Sequence, residues 1–369
     1  MKVCVTGATG FVGAHVVRAL AERGDDVRVI YRNPDRLKAL TGIKYRRAKC
    51  DVLDFRSLKR ALRDTELLFH VAGYVASSPM QRVWDLNARG PEIAVEAAAA
   101  AGVPRVVVTS TISAIGLANG NRPATEETSY PRDWLRLAYP DSKHVGETAA
   151  LDAADRHEVE VVVVNPAYVL GVPVNRGQPG ETSTRTIGNY LRGRLPGVLD
   201  APMNFVDVED VAAGHLLAAS QGRAGERYIL GGENLPWPRL IDRVAELSGV
   251  RYPIMVLPAA VRRLAQVREA LGLPGALSAE ASNLMGQDWR FSSRKAREEL
   301  GYDSRPLDDT LQETIDWYLE LIEAGAFADS RGSGLSRWAD SMRLASRFGL
   351  LIPMRVGQRV TGKRMLAGG

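Results

Sequence analysis

Over the first 165 residues, short and nearly continuous apolar runs alternate with longer helical patterns. KVCVT (2–6), DVRVIY (26–31), IKYRRA (43–48), LLFHV (67–71), RVVVT (105–109) and VEVVVV (159–164) read as strands. Four of them are almost wholly apolar, which suits strands covered on both faces, as in a parallel sheet. Between them, FVGAHVVRALAERG (11–24) and PEIAVEAAAAAG (91–102) read as helices, each stopping near a glycine. The βαβ alternation predicts an α/β fold with a doubly wound parallel sheet and right-handed crossovers.

After residue 165 the order loosens. Residues 171–202 are polar and rich in Gly and Pro; 203–220 read as a short strand and then a helix capped by Asp210; RYIL (227–230) reads as a strand. Helical patterns follow at 237–248, 258–270 and 306–324. The expected organisation is a cofactor domain over 1–165, with 203–230 laced back onto it, a smaller C-terminal substrate-binding lobe over 166–325, and a basic amphipathic tail over 326–369. In the tail, Leu335, Trp338, Met342, Ala345, Gly349 and Ile352 share one helical side, with Arg343 and Arg347 opposite. Two readings stand: a helix docked on the body or on a partner subunit, and a helix lying on an anionic membrane surface as a peripheral contact. The stretch after Pro353 is expected to be disordered.

Composition changes this picture little. The chain is 45% hydrophobic and 25% charged, ordinary for a globular protein. Of its net charge of +5, residues 331–369 carry +7, so the body is slightly acidic and gives no argument for nucleic-acid binding. Met1 and Lys2 lead directly into a strand-like run, and no apolar stretch reaches the ~20 residues that span a bilayer. Cys4 and Cys50 read as reduced, buried thiols, and a cytoplasmic protein is expected. The five histidines are scattered, and no metal-ligand spacing occurs.

The chemistry begins with VTGATGFVGAH, where Gly7, Gly10 and Gly13 follow a strand and open a helix. In that setting Gly7 makes the tight turn, Gly10 lets the backbone approach a pyrophosphate, and Gly13 lets helix and strand pack closely. The helix N-terminus, with Thr9, Phe11 and Val12 around it, then offers free N–H groups to the phosphates of a dinucleotide. This makes the sheet Rossmann-type. The second strand ends VIYRNPDR, with Tyr31 where an NAD-selecting carboxylate is expected and Arg32 after it. An Arg fork there suits a 2′-phosphate, so NADP is the expected cofactor and NAD the alternative. A solvated surface arginine is the competing account of Arg32. Asp51, followed by Val52, stands where the adenine edge would lie and also suits a helix cap.

AYPDSK places Tyr139 four residues before Lys143. On a helix both would share a face, and the ammonium would favour the phenolate, lowering the phenol's pKa toward the working range. Pro140 suits the first helical position and biases Tyr139 toward the helix mouth. RVVVTSTISAIG ends a buried strand in Thr109, Ser110 and Thr111, any of which could hold a substrate carbonyl or cap the backbone.

These residues together resemble the extended short-chain dehydrogenase/reductases, of the NAD-dependent epimerase/dehydratase superfamily. The shared marks are TGATGFVG, Asp51-Val52, FHVAG (69–73), Asn87 in DLNARG, VVVTST, Tyr139-x-x-x-Lys143, NPAYVLG (165–171), NFVDVEDVAAGH and SSRKAREELGY (292–302). Within that superfamily the chain looks most like dihydroflavonol reductase-like proteins and hopanoid-associated sugar epimerases. The resemblance implies a catalytic hydroxyl at Thr111, where Ser is usual, Tyr139 as acid/base and Lys143 as its electrostatic partner. It places Asn87 near the nicotinamide, Ala72 and Gly73 along the cofactor cleft, and Pro166 at the loop over the nicotinamide; Thr109 is a further expected cofactor contact. It also implies Arg32 as NADP selector and a homodimer.

Two enzymatic readings follow. The first is an NADP(H)-dependent oxidoreductase that passes hydride to a ketone or aldehyde of a hydrophobic molecule, lined by Tyr74, Val75, Trp84, Trp134, Leu135 and Tyr168. The second is a nucleotide-sugar epimerase or dehydratase, for which Arg176, Arg185, Arg192 and Arg194 are candidate pyrophosphate ligands. A non-catalytic sensor that keeps the fold is a third reading, opposed by the intact Thr111, Tyr139 and Lys143.

Overall fold

Side chains that alternate along the central strands fall into two separate cores, one on each face of the sheet. In the computed structural model, residues 1–76, 78–132, 134–177, 183–258 and 283–327 are described. In the C-terminal segment the described residues are 341, 344–346, 350, 351, 353, 354, 356, 358 and 363–368. The strands are β1 (Lys2–Thr6), β2 (Asp26–Tyr31), β3 (Arg46–Lys49), β4 (Leu67–His70), β5 (Arg105–Thr109), β6 (Glu160–Pro166), β7 (Tyr168–Leu170), β8 (Gly197–Asp200), β9 (Pro202–Asp207), β10 (Arg227–Leu230), β11 (Glu233–Pro236), β12 (Ile254–Pro258) and β13 (Leu366–Ala367). The helices are α1 (Phe11–Glu22), α2 (Phe55–Ala61), α3 (Met80–Trp84), α4 (Gly90–Ala101), α5 (Ala138–His157), α6 (Arg185–Leu191), α7 (Val208–Gln221), α8 (Trp237–Ser248), α9 (Arg294–Leu300) and α10 (Leu307–Glu323).

A seven-stranded sheet runs in the order β10-β6-β5-β4-β1-β2-β3, with every pair parallel. Val3, Val5, Val107, Val162 and Val164 join Val16, Val17, Leu20 and Val211 in one core, where α1 packs on α7. Cys4, Val106, Val108, Val161 and Val163 join Leu58, Ala94, Val95 and Ala150 in the other, beneath α2, α4 and α5. Both faces are covered, which is why the strands read as continuous apolar runs. The protein is thus an α/β, Rossmann-type doubly wound parallel sheet.

The smaller lobe is built on two three-stranded sheets, β11-β9-β7 and β13-β12-β8. Its core is aromatic, with Tyr190, Phe205, Trp237, Trp289, Phe291, Trp317 and Tyr318 fully buried. Asn204 on β9 binds Gly232, Asn234 and the Phe291 carbonyl, tying β9 and β11 to the segment that leads into α9.

Several boundaries differ from the sequence expectation. Strand β3 is 46–49, not 43–48. Helix α7 is capped by Asp207, whose carboxylate accepts from Glu209 N at 2.6 Å. Asp210 lies in its first turn, because β9 runs on to residue 207. β10 is laced onto the main sheet beside β6, whereas β9 joins the lobe. The expected disorder after Pro353 does not hold for 363–368. Leu366 and Ala367 are buried as β13 against β12, the Tyr190 hydroxyl donates to the Gly368 carbonyl at 2.8 Å, and Arg364 pairs with Asp242. The helical pattern at 258–270 and most of that at 335–352 lie outside the described residues. No helix among the described residues is long and apolar enough to cross a membrane.

Candidate active site

The connection from β1 runs to β2 on one side and that from β4 to β5 on the other, so a crevice opens between β1 and β4 beyond the strands' C-terminal ends. Gly7 sits there with φ +66°, and a Cβ on it would lie 2.5 Å from the Ala72 nitrogen. The glycine loop is therefore pressed onto the chain that leaves β4. Its Gly10 N–H donates to the Gly7 carbonyl at 2.9 Å, and α1 starts immediately afterwards. Gly10 puts no side chain over the first turn of α1, so the N–H groups of Phe11, Val12 and Gly13 have no side-chain cap. This donor set at a dipole's positive end, beside half-buried Thr9, fits the pyrophosphate of a dinucleotide.

At the adenosine end, Tyr31 is half-buried and accepts from Cys50 N through its carbonyl. Arg32 is exposed, with its guanidinium 3.7 Å from Asp51. Asp51 Oδ1 accepts from Leu53 N, so Asp51 also caps its own turn, while Val52 packs against the core under α2.

At the other end, α3 and α4 are joined by a π-helical turn at Asp85–Arg89. The widened turn re-aims Asn87 inward. Its amide accepts from Tyr74 N at 2.8 Å and donates to the Tyr74 carbonyl and the Ser142 hydroxyl, so Asn87 clamps the backbone beside Gly73. A Cβ on Gly73 would lie 3.3 Å from Asn87 Oδ1 and 3.7 Å from Lys143 Nζ. Gly146 lets α5 come this close, since a side chain there would run into the Asn87 carbonyl.

The three strand-end hydroxyls have different fates. Thr109 shares the face of Val107, and its hydroxyl donates to His215 Nε2 at 2.9 Å, because His215 Nδ1–H is already given to the Val211 carbonyl. Thr109 was expected to touch cofactor; its side chain instead turns to α7, by strand alternation, and only its carbonyl faces the site. Ser110 Oγ is buried with no partner in the described structure. Thr111 accepts from the N–H and hydroxyl of Ser113, both at 3.3 Å, so its own proton is left to donate. It is the hydroxyl beside the Tyr139 phenol.

Tyr139 is the second residue of α5, inside the helix rather than at its mouth. Pro140 is tolerated at the third position because first-turn N–H groups have no intrahelical acceptor. Tyr139 and Lys143 therefore keep the i, i+4 relation. The expected lowering of the phenol's pKa is not what the structure has. Burial pushes Tyr139 up to about 12, with Thr111 pulling weakly the other way. The Lys143 ammonium is turned to the Thr109 carbonyl at 2.6 Å. Burial brings Lys143 down to about 8, opposed by Glu147.

Of the residues expected to meet substrate, Tyr74 is half-buried under the Arg82 guanidinium, 4.8 Å from its ring centre, and Val75 is 81% exposed. Trp134 is exposed, has φ 54°, and stacks on Trp84 with ring centres 6.4 Å apart. Tyr130 and His144 close the same aromatic group. Tyr168 is engaged within the lobe, donating to the Ser183 carbonyl and packing edge-on to Phe205 and Trp237. Arg185 is exposed at the start of α6, and Pro166 is buried at the end of β6. Sequence reading missed Asp141, Ser142, Glu147, Asn165 and Arg227. Their one signal was position, since each lies in or beside a motif that drew attention for another residue.

A glycine loop on β1, a switch-point crevice and a Thr–Tyr–Lys group on β5 and α5 define a dinucleotide enzyme, and comparison with known proteins gives the family. The model of the NAD dependent epimerase/dehydratase family matches residues 3–231. The chain belongs to that family. Sterol demethylase protein B of Methylococcus capsulatus is 31% identical, over 87% of this chain and 99% of its own. Cinnamoyl-CoA reductase 1 of Arabidopsis thaliana is 30% identical, over 85% of this chain and 88% of its own. The crystal structure of a nucleoside-diphosphate-sugar epimerase from Pseudomonas aeruginosa superposes with a TM-score of 0.72 at 28% identity, covering 89% of this chain and 99% of that one. As a member of this epimerase/dehydratase family, the protein is an NAD(P)-dependent oxidoreductase acting on CH–OH or C=O groups.

Proposed function

We propose that the protein is an NADP(H)-dependent reductase of a ketone or aldehyde on a hydrophobic small molecule, with Tyr139 as proton donor. The grouping of the Thr111 hydroxyl, the Tyr139 phenol and Lys143 beyond the C-terminal end of β5 carries this reading. Burial alone holds the phenol protonated, and a positive charge beside it, from Lys143 and from an oxidised nicotinamide ring, is what would favour release of its proton. A dinucleotide held at the glycine loop would supply hydride for the carbonyl carbon. Thr111, whose proton lies toward the Tyr139 phenol in the structure, turns it to the carbonyl oxygen. Tyr139 gives its proton to that oxygen, and the Lys143 ammonium, one turn on, stabilises the phenolate left behind.

Arg32 supports NADP over NAD. It follows Tyr31, where no carboxylate repels a phosphate, and its exposed pairing with Asp51 is weak enough to exchange. The exposed faces of Trp134 and Val75 support an apolar substrate, and relatives named for a sterol and for cinnamoyl-CoA point to the same class.

The epimerase reading has one observation in its favour, an exposed Arg185 at the start of a lobe helix, set beside the likeness to a sugar-nucleotide epimerase. Absorbance and mass spectra of the purified protein separate the two. An empty site that consumes NADPH with apolar carbonyls supports the reductase, and stoichiometric tightly held NAD supports the epimerase. In the same assay Tyr139→Phe is expected to lose roughly a hundredfold or more in kcat. Arg32→Ala is expected to raise KM for NADPH about tenfold and leave that for NADH unchanged, a loss of about 1.4 kcal/mol. Equal constants for the two dinucleotides, unmoved in Arg32→Ala, would overturn the NADP assignment.

A further inference from the structure

Glu147 is 2% exposed, one turn beyond Lys143 on the inward side of α5. Its Oε2 accepts from Asn165 Nδ2 at 2.9 Å, and the same Nδ2 donates to the Thr111 carbonyl at 3.0 Å. Both protons of that amide are used. Turning the amide over would set its oxygen against a carbonyl and a carboxylate, so the network fixes its orientation. Helix α5 thus grips both ends of the hydroxyl triplet. Lys143 holds the Thr109 carbonyl directly, and Glu147 holds the Thr111 carbonyl through Asn165.

We infer that Glu147 is a positioning residue for the reacting pair: its carboxylate is the buried counter-charge one helical turn beyond Lys143 and, through Asn165, sets the peptide that presents the Thr111 hydroxyl to Tyr139.

The groups facing this carboxylate come from three elements. Lys143 lies on its own helix, neutral Asn165 comes from β6, and Arg227 from β10 puts Nε 3.0 Å from Oε1. Lys143 interacts with Glu147 and with His70 on β4, which burial keeps neutral with a pKa of about 3. Glu147 is therefore the one acid facing Lys143 among the described residues. Arg227 competes for it, so removing either partner moves Lys143 in opposite directions. Two carbonyl grips at i and i+4 also explain a buried acid here, since a purely packing role would be served by an apolar residue.

The inference rests on Tyr139 and Lys143 as the reacting pair, so its test uses no substrate. Lysine carrying 13C at Cε is incorporated into the full chain, and the Lys143 signal is assigned by its loss in Lys143→Arg. In Glu147→Gln, which keeps the size and an acceptor for Asn165, the Lys143 pKa is expected to fall by about one unit, a tenfold loss of proton affinity. In Glu147→Asp, shorter but still charged, it is expected to stay near the native value; a structural role alone predicts Asp to be the worse replacement. Arg227→Met is expected to raise it and keeps the inference testable if Glu147→Gln does not fold. The alkaline limb of NADPH binding should move with the lysine in each variant. An unchanged Lys143 titration in Glu147→Gln, or a fall in Arg227→Met, would overturn the inference. A lysine that shifts as described in a protein that binds no dinucleotide would instead sink the enzymatic reading, leaving Glu147 and Lys143 coupled but with no reacting pair to position.

Discussion

Three histidines are buried, and each is held neutral by its surroundings. His15 donates Nε2–H to the Val172 carbonyl and accepts from Arg18 at Nδ1. His70 shares a hydrogen bond with Thr6, and His215 is locked between Val211 and Thr109. Burial is the largest cause in each case and takes them down to about 4, about 3 and about 4. A folded pKa below the unfolded one means that the unfolded chain takes up protons first as pH falls. Stability is then lost progressively below pH ~6.5, at a cost of about 2 kcal/mol per histidine by pH ~5. Urea unfolding should show the midpoint falling between those two pH values, with a smaller fall in His215→Gln. Equal midpoints would show that these histidines do not stay neutral. Histidines scattered along the sequence gave no sign of this, because burial of a side chain depends on what packs over it.

The start of α5 shows how an element is fixed by one acid. Asp141 accepts from Leu135 N and the Tyr130 hydroxyl on one oxygen and from Leu137 N on the other. It gathers the irregular stretch before the helix, including left-handed Trp134 and Arg136, onto the first turn that bears Tyr139. In Asp141→Asn the amide nitrogen must face one of these donors, so a buried backbone N–H loses its partner. A loss of about 2 kcal/mol in chemical unfolding is expected, together with a change in Trp134 fluorescence as the stack on Trp84 loosens. An unaltered spectrum and stability would mean that the stretch is held by its aromatic contacts alone. The helix itself was legible from AYPDSK, but its first residue was not, since the proline rule constrains Tyr139 only locally. The π turn was equally hidden, because Asp85–Arg89 reads as ordinary helix until Asn87 finds Tyr74 and Ser142.

At the scale of the whole molecule, the chain's last described residues close the lobe sheet. Deleting 363–369 removes β13, the Tyr190–Gly368 bond and the Arg364–Asp242 pair, and exposes the surface that Leu366 covers. A loss of about 3 kcal/mol is expected, read as a lower melting temperature that Asp242→Ala reproduces in part. A truncated protein that melts like the full chain would show that β13 contributes nothing. The sequence by itself determined the order of strands and helices in the cofactor domain, the glycine loop and the Tyr139–Lys143 spacing. Each of these is written in near neighbours: apolar period, turn residues, one helical turn. Only the tertiary structure decided which of Thr109, Ser110 and Thr111 faces the phenol, that Glu147 reaches Thr111 through Asn165, and that the C-terminal residues pair with β12. Those outcomes depend on groups brought together from distant parts of the chain, where burial and hydrogen-bond partners, not local pattern, set a residue's role.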